Sequence, residues 1–361
     1  MFSQKNYDNF FRKASYACTA LLRNFPPEFA HNVALKVLKK GILDYFPKPK
    51  IKNHHILNTH SMNFINSKRI KHPIGLAAGF DKNCECPLGL IKLGFSFLEF
   101  GGVTPLPQQG HKKPRIKRLR SQRAIINHMG LNNLGVDEIC NRLQLSQNLR
   151  DNTPFGLNIG VNMGTLSENI LYDYIYVLQK VGGLVDYYTI NCSCPNSENI
   201  ASGPSSDFIN DLAYFIEKDT DVKIKDIWIK LSPDMSKHSF QSIVEQICNK
   251  NFGGIVVSNT KKTINPMEGG LSGHPLLLPS TTCLEWAWEV HKGNLPMIGV
   301  GGILSGEDVF QKIIRGAHAV QIYTSLIYRG PWVVFELLEE LEQILSREKY
   351  TNLQDLVGVY Y

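Results

Sequence analysis

Three kinds of segment are missing from this sequence. No apolar run approaches the length that crosses a bilayer, so no transmembrane helix is expected. The amino terminus has no apolar stretch followed by a small-residue cleavage site, so we expect no secretory signal peptide. The eight cysteines include two Cys-x-Cys pairs but no Cys-x-x-Cys or zinc-like histidine pair, which predicts reduced thiols in a cytosolic setting and no metal site.

The composition is that of an ordinary globular protein. Of the 361 residues, 43% are hydrophobic and 20% are charged, which is enough for a sizeable core. The length fits one large domain with a small appendage, or two domains. The formal net charge of +7 suits acidic small molecules or an anionic membrane surface, and it is weak support for nucleic-acid binding. We therefore expect no nucleic acid among the partners.

The first fifty residues differ from the rest of the chain. Apolar residues recur at helical spacing between positions 10 and 25, and again between positions 29 and 38. Pro26 and Pro27 separate the two runs, and Gly41 occupies the place of a helix C-cap. This pattern predicts a helical hairpin within residues 1–50, ahead of a second domain at 51–361. The hairpin either packs its apolar side wholly on that domain or lies on a membrane surface with its lysines on anionic lipid, and the pattern favours neither.

From residue 74 onward the chain repeats one unit, in which an amphipathic stretch follows a short apolar strand. Strands are predicted at 74–79, 97–102, 155–160, 187–193, 227–232, 254–259, 297–302 and 319–324. Helical patterns include 168–181, 208–217, 240–250, 306–314 and 333–345. Eight such repeats predict an α/β fold, a (β/α)8 TIM barrel rather than an open doubly wound sheet. We expect residues 53–70 to form a strand pair that closes the bottom of the barrel, and the long insert 104–135 to help form the active site.

Polar residues gather at the carboxyl ends of the predicted strands, where such barrels hold their active sites. The segment Asn191-Cys-Ser-Cys-Pro-Asn196 places a thiol, that of Cys194, between two amides at the end of the fourth strand. This thiol could remove a proton while Asn191 and Asn196 hold a planar polar substrate. The alternative is a strand end with a small buried cysteine and a turn.

Other strand ends suit a flavin. Ala77-Ala78-Gly79 is small enough for a planar ring to lie against the backbone. Gly299-Val300-Gly301-Gly302 after the seventh strand and Tyr323-Thr324-Ser325 after the eighth offer amides and hydroxyls to a phosphate, in the loops that usually bind phosphate in this fold. A glycine cluster alone would equally fit a tight turn.

Two lysines and several asparagines complete the predicted rim. Lys82 follows the first strand and Lys230 lies in the fifth, where a bound anion explains a lysine better than packing does. Lys230 could stabilise an anionic reduced flavin, and Lys82 could pair with a substrate carboxylate. Asparagine recurs at Asn127, Asn158, Asn191, Asn196 and Asn259. Each alone is more often a cap or turn residue, but several on one rim suit a flat ligand with alternating donors and acceptors.

Together these segments closely resemble dihydroorotate dehydrogenase. The similarity covers almost the whole chain and is carried by residues 75–83, 99–105, 126–130, 191–196, 270–273, 299–302 and 320–324. The hairpin and the insert Pro114-Arg-Ile-Lys-Arg118 resemble class 2, the quinone-reducing, membrane-associated branch. The resemblance implies oxidation of (S)-dihydroorotate to orotate in pyrimidine (UMP) biosynthesis, through one bound FMN per chain, with ubiquinone or menaquinone as the electron acceptor.

The resemblance also implies a place in the cell. We expect a monomer bound peripherally to the cytoplasmic face of the cell membrane. A bacterial membrane is favoured over a mitochondrial one, because the hairpin begins near residue 8 and leaves no room for a presequence.

The resemblance assigns roles by position. The catalytic base would be Cys194. The FMN site would consist of Ala77, Ala78, Gly79, Gly102, Asn158, Asn191, Lys230, Ser258, Gly273, Gly302, Tyr323 and Thr324. The substrate site would consist of Lys82, Asn127, His128, Met129, Gly130, Leu131, Asn191, Asn196, Asn259 and Thr260. The quinone site would include Arg118 and His31, although His31 also fits an ordinary histidine on a helix surface.

Two positions depart from the class 2 pattern. Class 2 usually has serine as the base, whereas the cysteine at 194 is usual in class 1, which lacks the hairpin. Because a thiol ionises near pH ~8.5, far below an alcohol, Cys194 is the base that is easier to ionise, particularly beside Lys82. Gly102 stands where the family often has a hydroxyl residue near the flavin, so one hydrogen bond to the cofactor is lost and binding is expected to persist.

Two other functions remain open at this point. The chain could be a soluble class 1 enzyme that uses fumarate or NAD. It could also be a non-catalytic flavin- or phosphate-binding barrel that uses its hairpin as a membrane adaptor.

Overall fold

The computed structural model describes residues 4–42, 65, 68, 70–192 and 203–361, with side chains from residue 13 onward. Within these ranges the helices are α1 (Gln4–Leu22), α2 (Pro27–Lys39), α3 (Pro87–Lys92), α4 (Val136–Leu145), α5 (Gln147–Arg150), α6 (Ile170–Val181), α7 (Ser206–Asp219), α8 (Lys237–Asn249), α9 (Leu277–His291), α10 (Gly306–Ile314), α11 (Thr324–Arg329) and α12 (Val333–Arg347). None of them is both long and apolar enough to cross a membrane.

Eight parallel strands close into a barrel. In order around it they are β1 (Ile74–Leu76), β2 (Leu98–Val103), β5 (Phe155–Ile159), β6 (Tyr187–Asn191), β7 (Ile227–Leu231), β8 (Gly254–Val257), β11 (Met297–Val300) and β12 (Ala319–Ile322), which pairs with β1. The predicted TIM barrel is therefore confirmed. Most strands end one to three residues earlier than predicted, whereas β2 ends one residue later, at Val103.

The barrel interior is filled from its lower end by apolar side chains. Phe97, Tyr187, Trp228, Val256, Ile298 and Ala319 form one buried cluster, which Ile65 and Ile70 join from the segment before β1. Inward-pointing residues alternate with outward ones along each strand, so this cluster is separate from the larger core between strands and helices. The packed lower layer makes the barrel a solid support for the groups above it.

A second sheet stands on the rim of the barrel. It consists of β3 (Ile116–Leu119), β4 (Ala124–Asn127), β10 (Gly269–Gly273) and β9 (Lys261–Thr263), in that antiparallel order. The predicted insert 104–135 supplies two of these strands. The strand pair predicted at 53–70 lies mostly outside the described residues, although Ile65 and Lys68 form an isolated antiparallel bridge.

The amino-terminal hairpin is present as the sequence predicts. Pro26 is the N-cap of α2 and Pro27 its first residue, a position where proline loses no helical hydrogen bond. Just after α2 ends, Gly41 has a φ of 67°, a backbone conformation that favours glycine. On the barrel side, Ala30 and Leu38 are buried, and α2 packs against α3.

Arginines of the insert attach the hairpin to the barrel. The Arg115 guanidinium forms a salt bridge with Glu28 of α2 at 2.9 Å. Arg118 donates to the backbone oxygen of Phe25 at 2.6 Å, and Arg120 donates to that of Arg23 at 2.6 Å. Charge-assisted hydrogen bonds of this kind are roughly twice as strong as neutral ones, so the turn of the hairpin is held at one place over the second sheet.

Gly89 of α3 tests whether the fit of α2 against the barrel holds the hairpin in place. A Cβ at Gly89 would fall 2.6 Å from the Leu38 carbonyl oxygen, so Gly89→Ala must displace α2. We expect faster cleavage by trypsin after Lys36 and Lys39, followed by mass spectrometry, with the barrel fragment still folded. The matched control is Gly183→Ala, where an added Cβ meets nothing within 4 Å. Equal cleavage rates in both variants would contradict the prediction.

Candidate active site

One cavity of about 810 Å³ lies between the carboxyl ends of the barrel strands and the hairpin. Its wall includes these residues that the sequence singled out: His31, Ala77, Ala78, Gly79, Lys82, Gly102, Arg118, Asn127, His128, Met129, Gly130, Leu131, Asn158, Asn191, Lys230, Ser258, Asn259, Thr260, Gly273, Gly302, Tyr323 and Thr324. Cys194 and Asn196 lie outside the described residues. The structure thus brings together every described residue of the predicted site, from segments far apart in the chain.

Amide side chains form one part of this wall. The Asn259 amide donates to Asn191 Oδ1 at 3.0 Å, and its own oxygen accepts from the Thr260 backbone N–H at 2.8 Å. Asn127 donates to the Gly270 carbonyl at 3.2 Å. These contacts fix the orientation of each amide, so their remaining donors and acceptors are held for a planar polar ligand.

A buried carboxylate that is absent from the predicted site residues lies beneath the cavity. Glu99 is completely buried and accepts hydrogen bonds from Asn158 at 3.0 Å and from Gln321 at 2.7 Å. The hydroxyls of Tyr187 and Thr189 also donate to the Glu99 carboxylate, at 3.2 and 3.1 Å. A glutamate inside an otherwise apolar strand was the available signal, because a buried carboxylate is rare without partners.

Lys230 of the predicted rim is buried and Lys82 is half-buried. Burial lowers the pKa of Lys230, and the nearby charge of Glu99 partly offsets this. Burial, reinforced by Arg115, lowers the pKa of Lys82 to about 8, while Glu28 and Asp81 act in the opposite direction. Lys82 donates to the Gly79 carbonyl at 2.8 Å and remains largely charged at pH 7. Both lysines are therefore suited to anionic groups in the cavity.

The slot beside Gly79 and Gly102 suits a flat ring. Gly79 has a φ of +95°, and a Cβ there would meet only Tyr323, at 3.7 Å. At Gly102 a Cβ would lie 3.0 Å from Leu131 and 3.4 Å from the Asn158 amide oxygen. Gln321 Oε1 is buried at the floor of the cavity and has no hydrogen-bond partner in the described part of the chain. An acceptor left in this way fits a ring that carries N–H groups.

The loops after β11 and β12 suit a phosphate. Gly301 and Gly302 have φ values of +115° and +80°, and Cβ atoms there would clash with the start of α9. Just after β12, Thr324 Oγ1 donates to Ser272 Oγ at 3.1 Å. Ser325 Oγ is buried at the cavity wall and unpaired among the described residues. The residues present thus fit the phosphate and the ring of FMN.

The hairpin end of the cavity holds His31 and Arg118. The His31 ring lies edge-on to Phe80, with centroids 5.2 Å apart. Burial, with Lys82 adding to the effect, lowers the pKa of His31 to about 3, so the imidazole is neutral at physiological pH. Arg118 Nε is buried and has no hydrogen-bond partner within the described ranges. A neutral imidazole and an available guanidinium N–H suit a ligand that carries carbonyl groups.

Comparison with known proteins gives a consistent result. The profile of the family described as dihydroorotate dehydrogenase matches residues 61–345. The mitochondrial dihydroorotate dehydrogenase (quinone) of Mus musculus is 32% identical over 98% of this chain and 91% of its own length. The dihydroorotate dehydrogenase (quinone) of Methylobacillus flagellatus is 36% identical over 87% of this chain and 95% of its own length.

Solved structures show the same fold. The ligand-free DHODH of Eimeria tenella superposes with a TM-score of 0.83 at 32% identity, covering 93% of this chain and 99% of that one. The complex of this DHODH with ferulenol gives a TM-score of 0.82 at 33% identity, covering 92% and 95%.

The titration of His31 tests the environment at the hairpin end of the cavity. We expect the His31 imidazole to stay neutral between pH 5 and 8 in the folded protein, because burial opposes its charged form. The measurement is the ¹H–¹⁵N NMR signal of the ring across this range, assigned with His31→Gln. In urea the same ring should titrate near pH ~6.5. A midpoint near that value in the folded protein would contradict the prediction that burial lowers the pKa of His31.

Proposed function

Because this chain belongs to the dihydroorotate dehydrogenase family, we propose that its cavity binds FMN, dihydroorotate and a quinone in three adjoining parts. The chain is a quinone-dependent, flavin-dependent oxidoreductase that oxidises dihydroorotate to orotate in pyrimidine biosynthesis. The observation that carries the proposal is the single cavity, which extends from the rim of the barrel to the hairpin.

The flavin part is the rim between β1, β11 and β12. Ala77, Ala78, Gly79 and Gly102 would lie against the ring, and Asn158, Asn191, Lys230, Ser258 and Gly273 would surround its polar edge. Gly302, Tyr323 and Thr324 would hold the phosphate, one FMN to each chain. When bound, FMN supplies the two-electron chemistry that links the oxidation of dihydroorotate to the reduction of quinone. Lys230 would favour negative charge on the ring.

The substrate part is lined by amides and Lys82. Lys82 would pair with the carboxylate of dihydroorotate, while Asn127, Asn191, Asn259 and Thr260 would hold the ring amides. Residues 128–131 and Asn196 would complete the wall. Within this site Cys194 would act as the base that removes the substrate proton. In the proposed site the charge of Lys82 would favour the thiolate over the thiol.

The quinone part lies under the hairpin, where His31 and Arg118 would contact the carbonyl oxygens of ubiquinone or menaquinone. The outer face of the hairpin is apolar: Leu21 is 60% exposed and Phe29 is 53% exposed. Apolar side chains with neighbouring lysines are typical of helices that lie at a lipid surface. We propose that residues 1–50 attach a monomeric catalytic domain, 51–361, peripherally to the cytoplasmic face of the cell membrane, without nucleic-acid partners.

A soluble enzyme that uses fumarate or NAD is less well supported. The hairpin encloses one end of the cavity, and the relatives compared above are named for quinone. Cys194 then distinguishes this chain from other class 2 enzymes in the catalytic base and not in the electron acceptor. A non-catalytic barrel is disfavoured because its polar groups converge on one cavity.

The visible spectrum of the purified chain tests the proposed chemistry most directly. We expect flavin absorption in the protein as isolated, which bleaches on anaerobic addition of dihydroorotate and returns on addition of a quinone analogue. Fumarate and NAD should not restore it. Bound flavin that dihydroorotate fails to bleach would rule out this function and leave a flavin-binding barrel.

Substitution of Cys194 tests the identity of the base. Cys194→Ala should slow bleaching by about 10²–10⁴-fold with flavin still bound, because general-base catalysis contributes on that scale. In Cys194→Ser the apparent pKa of bleaching should rise, since an alcohol ionises far less readily than a thiol. Stopped-flow absorbance across pH measures both effects. The same ionisation in the wild type and in Cys194→Ser would exclude the thiol.

Arg118 and Arg120 form a matched pair for testing the quinone part. Both hold backbone oxygens of the hairpin turn, but Arg118 lines the cavity and Arg120 does not. Arg118→Met should raise the KM for a quinone analogue by about tenfold, because the quinone loses one hydrogen bond from a charged donor. Bleaching by dihydroorotate should be unchanged. If Arg120→Met raises the KM equally, the effect comes from displacement of the hairpin.

A further inference from the structure

A fully buried lysine stands behind the proposed phosphate loop. Lys312 of α10 has no exposed surface, and its ammonium donates to Ser280 Oγ at 2.8 Å and to Thr281 Oγ1 at 3.3 Å. None of the salt bridges in the described part of the chain includes it. Its stem passes Gly299, where a Cβ would lie 3.1 Å from Lys312 Cδ. A buried charge that is hydrogen-bonded only to neutral hydroxyls calls for a further explanation.

Ser280 connects this ammonium to the loop that lines the cavity. The Ser280 hydroxyl lies 3.1 Å from the Gly301 carbonyl oxygen and 2.7 Å from that of Leu276. Gly301 and Gly302 are in the cavity wall. Ser280 Oγ, which accepts from Lys312, therefore also lies within hydrogen-bond distance of the backbone of this loop.

The start of helix α9 reinforces the positive potential behind the loop. Gly302 packs so closely on it that a Cβ would fall 2.2 Å from Leu277 Cα. The first N–H groups of a helix carry a partial positive charge, which a nearby anion stabilises. The ammonium of Lys312 and this helix terminus lie on the same side of the glycines.

Nearby charges do not neutralise Lys312. Burial lowers its pKa to about 7, and Asp308, Cys283 and Arg315 change it less, the first two raising it and Arg315 lowering it. The Asp308 carboxylate is already engaged at the start of α10, where it accepts from the backbone N–H groups of Leu304 at 2.8 Å and Ser305 at 2.9 Å. A dianion on the other side of Gly301 would complete the balance of charge.

We propose that Lys312 is a positioning residue for the cofactor phosphate. Through Ser280, Lys312 holds the Gly301–Gly302 loop, and the bound dianion balances its charge. This inference rests on the proposed binding of FMN in the cavity.

The proposal has a consequence for pH. A bound dianion stabilises the ammonium, so the pKa of Lys312 should be higher with FMN than without it. Between these two pKa values, binding of FMN takes up a proton, and its affinity falls by up to tenfold for each unit rise in pH. Because the phosphate itself ionises near pH ~6, it contributes little above pH 7. The affinity for riboflavin, which has no phosphate, should not fall with pH in this way.

The test measures dissociation constants for FMN and riboflavin by flavin fluorescence on the full chain between pH 6.5 and 9. For the wild type, the affinity for FMN relative to riboflavin should weaken as the pH rises from 7 to 9. Lys312→Met should bind FMN about tenfold more weakly at pH 7, and its affinity for FMN relative to riboflavin should not weaken further as the pH rises. It should bind riboflavin as the wild type does. Lys82 and Lys230 are present in both proteins, so their titration cancels in the comparison.

The control is Lys237→Met, which removes the same charge from an exposed position 2.7 Å from Glu289. It should follow the wild type. Ser280→Ala keeps the charge of Lys312 but removes the hydroxyl between Lys312 and Gly301. It should weaken FMN binding and keep the dependence of FMN affinity on pH. The proposal is wrong if the FMN affinity of Lys312→Met follows the wild-type dependence on pH. It is also wrong if the substitution weakens riboflavin binding as much as FMN binding.

A second measurement does not need the variant to fold. Calorimetry of the wild type in two buffers of different ionisation enthalpy should show more proton uptake on binding FMN than on binding riboflavin at pH 8, by up to one proton. If proton uptake is the same for FMN and riboflavin, the role of Lys312 is refuted and the proposed function is not affected. A wild type that binds neither flavin would instead refute the proposed function.

Discussion

The carboxylate of Glu99, buried at the centre of the barrel, determines how the floor of the cavity is built. An unpaired charge at this depth would be strongly destabilising, so neighbouring strands must supply donors to it. Asn158, Thr189 and Gln321 do so from β5, β6 and β12. The same hydrogen bonds that satisfy Glu99 therefore fix polar side chains of three strands at one height. Above them the cavity opens, and below them the interior is apolar.

The hairpin and the second sheet depend on each other in a similar way. Neither is part of the barrel, and each covers one side of the cavity. The salt bridge between Glu28 and Arg115 joins them, and Arg115 also donates to the backbone oxygen of Gln109 at 2.6 Å. One guanidinium thus organises both the loop of the insert and the start of α2. The two coverings of the cavity are consequently assembled as one unit.

The sequence predicted the barrel because its signal is local. Short apolar strands, each followed by a polar residue and an amphipathic helix, give both the eight repeats and the side of the barrel that carries the site. The assignments of His31 to a quinone site and of a set of residues to FMN came from the family resemblance, since spacing alone does not bring these residues together. Glu99 and Arg115 were missed because their partners lie far away in the chain. Lys312 was missed for another reason: a lysine in an amphipathic helix looks solvent-facing, and only the packing of α9 on α10 buries it.

The contacts that hold the hairpin turn have a consequence for how this protein can change over generations. Arg118 and Arg120 bind backbone oxygens of residues 23 and 25, and most backbone groups are independent of the side chain attached to them. Substitutions along α1 and the turn therefore leave this attachment intact. The sequence around the mouth of the cavity can therefore change while the polar floor inside the barrel stays as it is.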